Sequence, residues 1–140
     1  PKEKWAALIK KKAQTAQVFL IGGIDDFELC KDIISLSGVS NAINLAGKLT
    51  ILESAALMQR ALRNYVNDSG PLHVASAMNA PVTAFFCSTI PAFGFGPLSD
   101  DSVVVETDLS LDCRPCGLHG HSACPKTHFN CGNSIDVNGL

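Results

Sequence analysis

The sequence predicts an α/β protein: a Rossmann-like parallel sheet with helices on both faces. Three observations carry this. Short apolar runs alternate with segments of helical periodicity from one end to about residue 106. The runs are nearly all apolar rather than alternating, as strands buried on both faces of a parallel sheet must be. Finally, the loops after three of these runs hold Gly or Ser: Gly22-Gly23, Ala46-Gly47 and Asp68-Ser69-Gly70. Right-handed crossovers would place those loops together at the carboxyl edge of a doubly wound sheet, where such sheets bind ligands.

Taken in order, residues 1–13 carry Trp5, Leu8 and Ile9 at helical spacing, with Pro1 suited to a first turn. The run 18–21 reads as a buried strand that Gly22-Gly23 ends. Asp25 or Asp26 then caps a second helix bearing Phe27, Cys30, Ile33, Ile34 and Ser37, closed near Gly38. A strand over 42–45 leads to Ala46-Gly47. Thr50-Ile51-Leu52-Glu53 has the form of a capping box, so a third helix starts there and runs to about Leu62. A strand over 64–66, a helix to about Met78, and the most apolar strand, 81–86, come next. Gly94-Phe95-Gly96-Pro97 reads as a turn, and 103–106 as the last strand. No G-x-G-x-x-G succeeds any strand, so a dinucleotide fingerprint is absent.

Composition narrows the classes. The chain has 140 residues, 46% hydrophobic and 17% charged, which suits a folded domain with a real core rather than a disordered or fibrous chain. Its net charge is −2, and its one basic run, Lys10-Lys11-Lys12, fits a solvated helix face. Nothing here asks for nucleic acid. No apolar run is long enough to span a bilayer, and Pro1-Lys2-Glu3-Lys4 leads into an amphipathic helix rather than a signal peptide. Cytosol is the simplest compartment. The ends read as those of a fragment: the strand before Pro1 is missing, and residues 135–140 stop where another helix begins.

The central stretch is Asn67-Asp68-Ser69-Gly70-Pro71-Leu72-His73. A strand turning into a helix here gathers free N–H groups and the positive end of a helix dipole, which suits an anion and above all phosphate. Gly70 lets a ligand approach the backbone, Pro71 starts the helix without wasting a donor, Ser69 offers a hydroxyl and His73 an imidazole. The plainer reading is that Asp68 or Ser69 simply caps the helix.

After residue 110 the character changes. Cys113-Arg114-Pro115-Cys116, Cys124 and Cys131, interleaved with His119, His121 and His128, form a loop-rich segment. Four thiolates, or a thiolate–imidazole mixture, satisfy tetrahedral zinc. Reduced cysteines, disulfides, a redox Cys-x-x-Cys and an iron–sulfur site are the alternatives. Stable disulfides are disfavoured in a cytosolic chain. Cys30 and Cys87 read as core residues. The chain is therefore expected to divide into a Rossmann-like domain over 1–110, its first strand missing, and a Cys-rich segment of the same domain over 111–140.

Asn67-Asp68-Ser69-Gly70-Pro71-Leu72-His73-Val74-Ala75, preceded by Leu45-Ala46-Gly47-Lys48-Leu49-Thr50, resembles the C-terminal half of bacterial lipopolysaccharide heptosyltransferases, and more broadly glycosyltransferase family nine. The Gly22-Gly23 loop and the late cysteine segment fit the same pattern, so the resemblance covers nearly the whole chain. It implies a GT-B architecture, with this chain as the C-terminal domain that holds the nucleotide-sugar donor, typically ADP-heptose. It also implies inverting transfer to a lipopolysaccharide core acceptor, in the cytoplasm or at the inner face of the inner membrane, with no cofactor required beyond a structural zinc if the cysteines hold one. Carried over by position, Ser69 and Gly70 face the diphosphate, and Asp68 and His73 lie near phosphate or sugar hydroxyls. Gly23 and Asp25 fall in the loop whose acidic residue can bind the ribose, and Leu49 walls the adenine pocket. The catalytic base belongs to the N-terminal domain, which this sequence lacks, so the fragment alone is expected to be inactive. Two other readings are an epimerase-like GT-B domain and a non-catalytic, zinc-stapled α/β interaction module.

Overall fold

The computed structural model describes residues 1–140. Its elements run α1 (Lys2–Lys12), β1 (Val18–Leu20), α2 (Phe27–Ser37), β2 (Ala42–Asn44), α3 (Ile51–Gln59), β3 (Asn64–Asn67), α4 (Gly70–Ala77), β4 (Val82–Phe86), β5 (Ser102–Glu106) and α5 (Asn130–Asn133). Short 3-10 turns cover Ile24–Asp26 and Pro91–Phe93. The predicted alternation is present, and every strand pairing is parallel. No helix is long and apolar enough to cross a membrane.

The strands form two sheets rather than one. β1 pairs with β2, and β3, β4 and β5 pair in that order. Contacts divide the chain in the same way, with residues 1–54 and 136–140 in one unit and residues 55–135 in the other. The division falls within α3, and the cysteine segment packs with the three-stranded sheet.

In the first unit, Ala6 and Ile9 of α1 and Ile33 of α2 form a core, against which Trp5, Val18, Leu20, Val39 and Ala42 pack. The apolar spacing of α1 predicted this face. Gly38 closes α2 in the left-handed conformation, its amide reaching back to the carbonyls of Ile34 and Ser35. The last residues join this unit through Lys11, whose Nζ donates to the Asn138 carbonyl at 2.5 Å. β1 and β2 are only half-buried, with Phe19 and Ile43 exposed. That departs from the expectation of strands covered on both faces, because each is three residues long and has one partner.

In the second unit β4 is the core strand: all five of its residues are buried, and Phe86 and Val82 completely. Burying side chains of that size stabilises the fold by about 1.5–3 kcal/mol each. α4 packs on β3 and β4 through Leu72 and Ala75, both fully buried. β5 lies at an edge, and Val103 and Val104 remain exposed despite their apolar character. Its entry is tied by Arg63, whose guanidinium donates to both carboxylate oxygens of Asp101 at 2.8 Å and to the Val82 carbonyl at 3.2 Å.

Candidate functional site

The site begins at the end of β3. The β3–β4 ladder continues one residue past the strand, with the Asp68 amide donating to the Phe85 carbonyl at 3.0 Å. The chain then turns, with Ser69 extended at φ −165° and ψ 176°, and Gly70 begins α4. The Leu72 amide closes the first turn on the Ser69 carbonyl at 3.0 Å. Pro71 stands in that turn, as a residue that needs no donor can.

The capping reading fails here. No side chain hydrogen-bonds the first amides of α4. The Ser69 hydroxyl donates instead to the Asn67 carbonyl at 3.2 Å. The Asp68 carboxylate is held elsewhere: its Oδ2 accepts from Thr89 Oγ1 at 2.5 Å. Both residues that could neutralise the helix start are therefore turned away from it. A Cβ on Gly70 would meet no protein atom within 4 Å, so packing does not account for the glycine. His73 is exposed on the first turn, its ring edge-on to Phe95 with centroids 6.3 Å apart. A buried, purely structural histidine is excluded. Asp68, Ser69, Gly70 and His73 thus lie at the junction of β3 and α4, with the Asp68 and Ser69 side chains bonded away from the helix start.

Gly23, Asp25 and Leu49 belong to the first unit. There the loops after β1 and β2 interlock. The Gly47 amide donates to the Gly22 carbonyl at 2.9 Å, and Gly47 takes φ +71° with the Ile24 backbone against it. Asn44 supports this loop, donating to the Phe27 carbonyl at 2.9 Å and accepting the Ala46 amide at 3.0 Å. Neither Asp25 nor Asp26 caps α2. Asp26 instead accepts the Gly23 amide at 2.8 Å, because a 3-10 turn intervenes and points it back along the chain. Asp25 is exposed and Leu49 half-buried. Thr50 and Glu53 form the predicted capping box: the Thr50 amide donates to the carboxylate at 2.8 Å, and the Glu53 amide to the hydroxyl at 3.3 Å. The Thr50 amide, together with its hydroxyl, holds the Glu53 carboxyl below its usual pKa.

All six cysteines are free thiols. Cys113 Sγ lies 3.9 Å from His128 Nε2, Cys116 Sγ is directed at the Cys113 carbonyl at 3.0 Å, and Cys124 Sγ accepts the Phe129 amide at 3.4 Å. Cys131 is buried in α5. Burial pushes its thiol pKa up, and Cys116 and Cys124 add to the effect. No three Cys, His, Asp or Glu side chains are arranged to hold a metal ion. The four cysteines named as possible ligands, Cys113, Cys116, Cys124 and Cys131, share one region, since the first three all bear on the Cys131 thiol.

Two residues that no sequence motif singles out, Thr89 and Arg114, hold the loop beyond β4. Arg114 Nε donates to the Cys87 carbonyl at 2.7 Å, and its guanidinium also donates to the carbonyls of Thr89 at 2.9 Å and Phe86 at 3.3 Å. It is paired with Glu106, which lies opposite Phe86 in the sheet register. The Cys-Arg-Pro-Cys context of Arg114 is the one signal of it in the sequence.

The chain is similar to known proteins. The family model described as glycosyltransferase family 9 (heptosyltransferase) matches residues 1–123. The chain belongs to glycosyltransferase family 9. Within family 9 it is 36% identical over 93 residues to lipopolysaccharide heptosyltransferase 2 of Escherichia coli, covering 64% of this chain and 26% of that protein. It is also 36% identical over 63 residues to lipooligosaccharide heptosyltransferase 2 of Haemophilus influenzae, covering 45% and 18%. Among solved structures, the E. coli ADP-heptose lipopolysaccharide heptosyltransferase II matches with a TM-score of 0.70 at 26% identity, covering 95% of this chain and 40% of that one. A family 9 glycosyltransferase from Veillonella parvula matches with a TM-score of 0.68 at 27% identity, covering 74% and 30%. The chain therefore spans about a quarter or less of these curated relatives. The α/β fold with parallel sheets is that of family 9.

Proposed function

We propose that this chain is the donor-binding part of a heptosyltransferase that moves a sugar from a nucleoside diphosphate, ADP-heptose being favoured, to a lipopolysaccharide core acceptor with inversion. One observation carries the proposal: α4 begins at Gly70 with no side-chain cap, while Asp68 and Ser69 are both bonded elsewhere. As the glycosidic bond breaks, negative charge grows on the diphosphate. Amides at the positive end of a helix, already aimed and needing no rearrangement, stabilise that charge more in the transition state than in the ground state. A protonated His73 on the same turn would add a positive charge. By position in the family, Gly23, Asp25 and Leu49 are assigned to the nucleoside. The base that activates the acceptor is assigned to the part of the relatives this chain does not span, and the site of action to the cytoplasmic side of the inner membrane.

The test is made on the full-length protein, titrated calorimetrically with ADP, UDP and GDP and assayed for transfer from the matching heptose donors to core acceptor. Preference for ADP, with transfer from ADP-heptose, supports the proposal. Preference for UDP or GDP keeps the transferase and removes ADP-heptose. A full-length protein that binds no nucleoside diphosphate overturns the reading.

A further inference from the structure

The Asp68 carboxylate belongs to the residue before Ser69, the N-cap of α4, close enough along the chain for its negative charge to be drawn toward the free amides of the helix start. A capped helix end offers an incoming anion fewer donors and a like charge. Here the carboxylate does not cap, and the structure shows what diverts it. Thr89, a buried residue with 7% exposure, holds Oδ2 at 2.5 Å. Thr89 in turn is fixed from behind. Arg114 donates to its carbonyl and to those of Phe86 and Cys87. The Cys116 amide donates to the Ser88 carbonyl at 2.8 Å, and a Cβ on Gly120 would stand 2.5 Å from Ser88 Oγ. Three points of the cysteine segment therefore clamp the loop of residues 87–89, and that loop's last residue holds the carboxylate.

We propose that Thr89 and Arg114 are positioning residues for the donor: Arg114 fixes the loop after β4, and Thr89 latches Asp68 away from the start of α4 so that its amides remain open to the diphosphate. The inference rests on the donor reading above and adds to it a task for the cysteine segment. The geometry sets its chemistry. A planar guanidinium reaches three carbonyls and one carboxylate at once, which an ammonium cannot do.

The test measures nucleoside diphosphate affinity on the full-length protein, using whichever of ADP, UDP and GDP binds the wild type most tightly. Thr89→Val, close in shape and without the hydroxyl, should bind it about tenfold more weakly, the scale of a lost hydrogen bond to a charged group. Thr89→Ser should restore wild-type affinity. In an Asp68→Ala background Thr89→Val should cause no further change, since the carboxylate it restrains is gone. Urea unfolding reports whether each variant folds, and Arg114→Lys, expected to weaken binding in the same direction, takes the place of Thr89→Val should the latter not fold. A Thr89→Val protein that binds as tightly as wild type overturns the latch. So does an equal loss with and without the Asp68 carboxylate, which would reveal a general structural effect. A wild type that binds no nucleoside diphosphate removes the donor reading and the latch with it, and is told apart by that result alone.

Discussion

Gly47→Ala should be among the more damaging single-methyl changes in the first unit, and the structure supplies its own control. At Gly47 two costs combine. The residue sits at φ +71°, where a side chain costs about 1–2 kcal/mol. Its new Cβ would also stand 2.8 Å from the Ile24 Cα and 2.6 Å from Cδ1. The Cδ1 can swing aside, since Ile24 is 71% exposed, but the Cα is backbone and can yield only by moving the loop after β1. Overpacking of that kind adds about 1–3 kcal/mol. Gly38, in the same unit, has φ +68° and no atom within 4 Å of its Cβ position, so Gly38→Ala carries the conformational cost alone. The two variants should therefore differ by about 1–3 kcal/mol. At a urea slope of ~2 kcal/mol per M, that separates their midpoints by about 0.5–1.5 M. Equilibrium urea unfolding of both variants, monitored through Trp5 fluorescence, reads the difference. Midpoints that coincide would refute the interlock of the two loops, and with it the argument that Gly47 is fixed by its neighbour and not by its turn.

Other expectations are simpler. Gly70→Ala meets open space at ordinary φ, so it should leave stability unchanged or raise it by up to about 1 kcal/mol, while nucleoside diphosphate affinity, read by calorimetry, falls. Thr50→Ala removes the capping box of α3 and should cost about 1 kcal/mol in thermal unfolding. The Glu53 carboxyl is held down in the folded state by Thr50; its contribution is present above the unfolded carboxyl pKa and lost as pH falls through the folded one, so wild type and Thr50→Ala should converge in stability in acid. Burial, then Cys131, pushes the Cys87 thiol above its ordinary value of 9.0. Cys87 should therefore alkylate slowly with iodoacetamide while folded, as peptide mapping would show. Its raised pKa favours the folded state fully below the unfolded value and less as pH rises through the folded one, so Cys87→Ala should flatten the alkaline decline of stability.

What could be read from the chain was what lies close together along it. Thr50 and Glu53 announce a helix start at three residues' spacing, and both bonds are present. Asn67 to His73 announces a strand turning into a helix, and β3 does end at Asn67 with α4 beginning at Gly70. The pattern failed where the deciding partner is remote. Whether Asp68 caps its helix depends on Thr89, 21 residues on, and no local rule separates the two outcomes. Asp26 has the composition of a helix cap, yet the 3-10 turn at Ile24–Asp26 sends it back to Gly23. Val103 and Val104 look like a buried strand, and their exposure arises because β5 has one neighbour, which apolarity does not encode. The split into two sheets is likewise a property of pairing and not of composition.

The Arg114 clamp also orders events in time. The carbonyls it binds belong to residues 86, 87 and 89, and the carboxylate they steady to residue 68, so 114 − 68 = 46 residues must be added after Asp68 before the guanidinium exists. At about 5–20 residues per second that is about 2–9 s of synthesis, far longer than a helix or a short loop needs to form. Throughout that interval the Asp68 carboxylate lacks the loop hold that Arg114 completes. The cysteine segment, made late, therefore completes the hold on a turn made earlier.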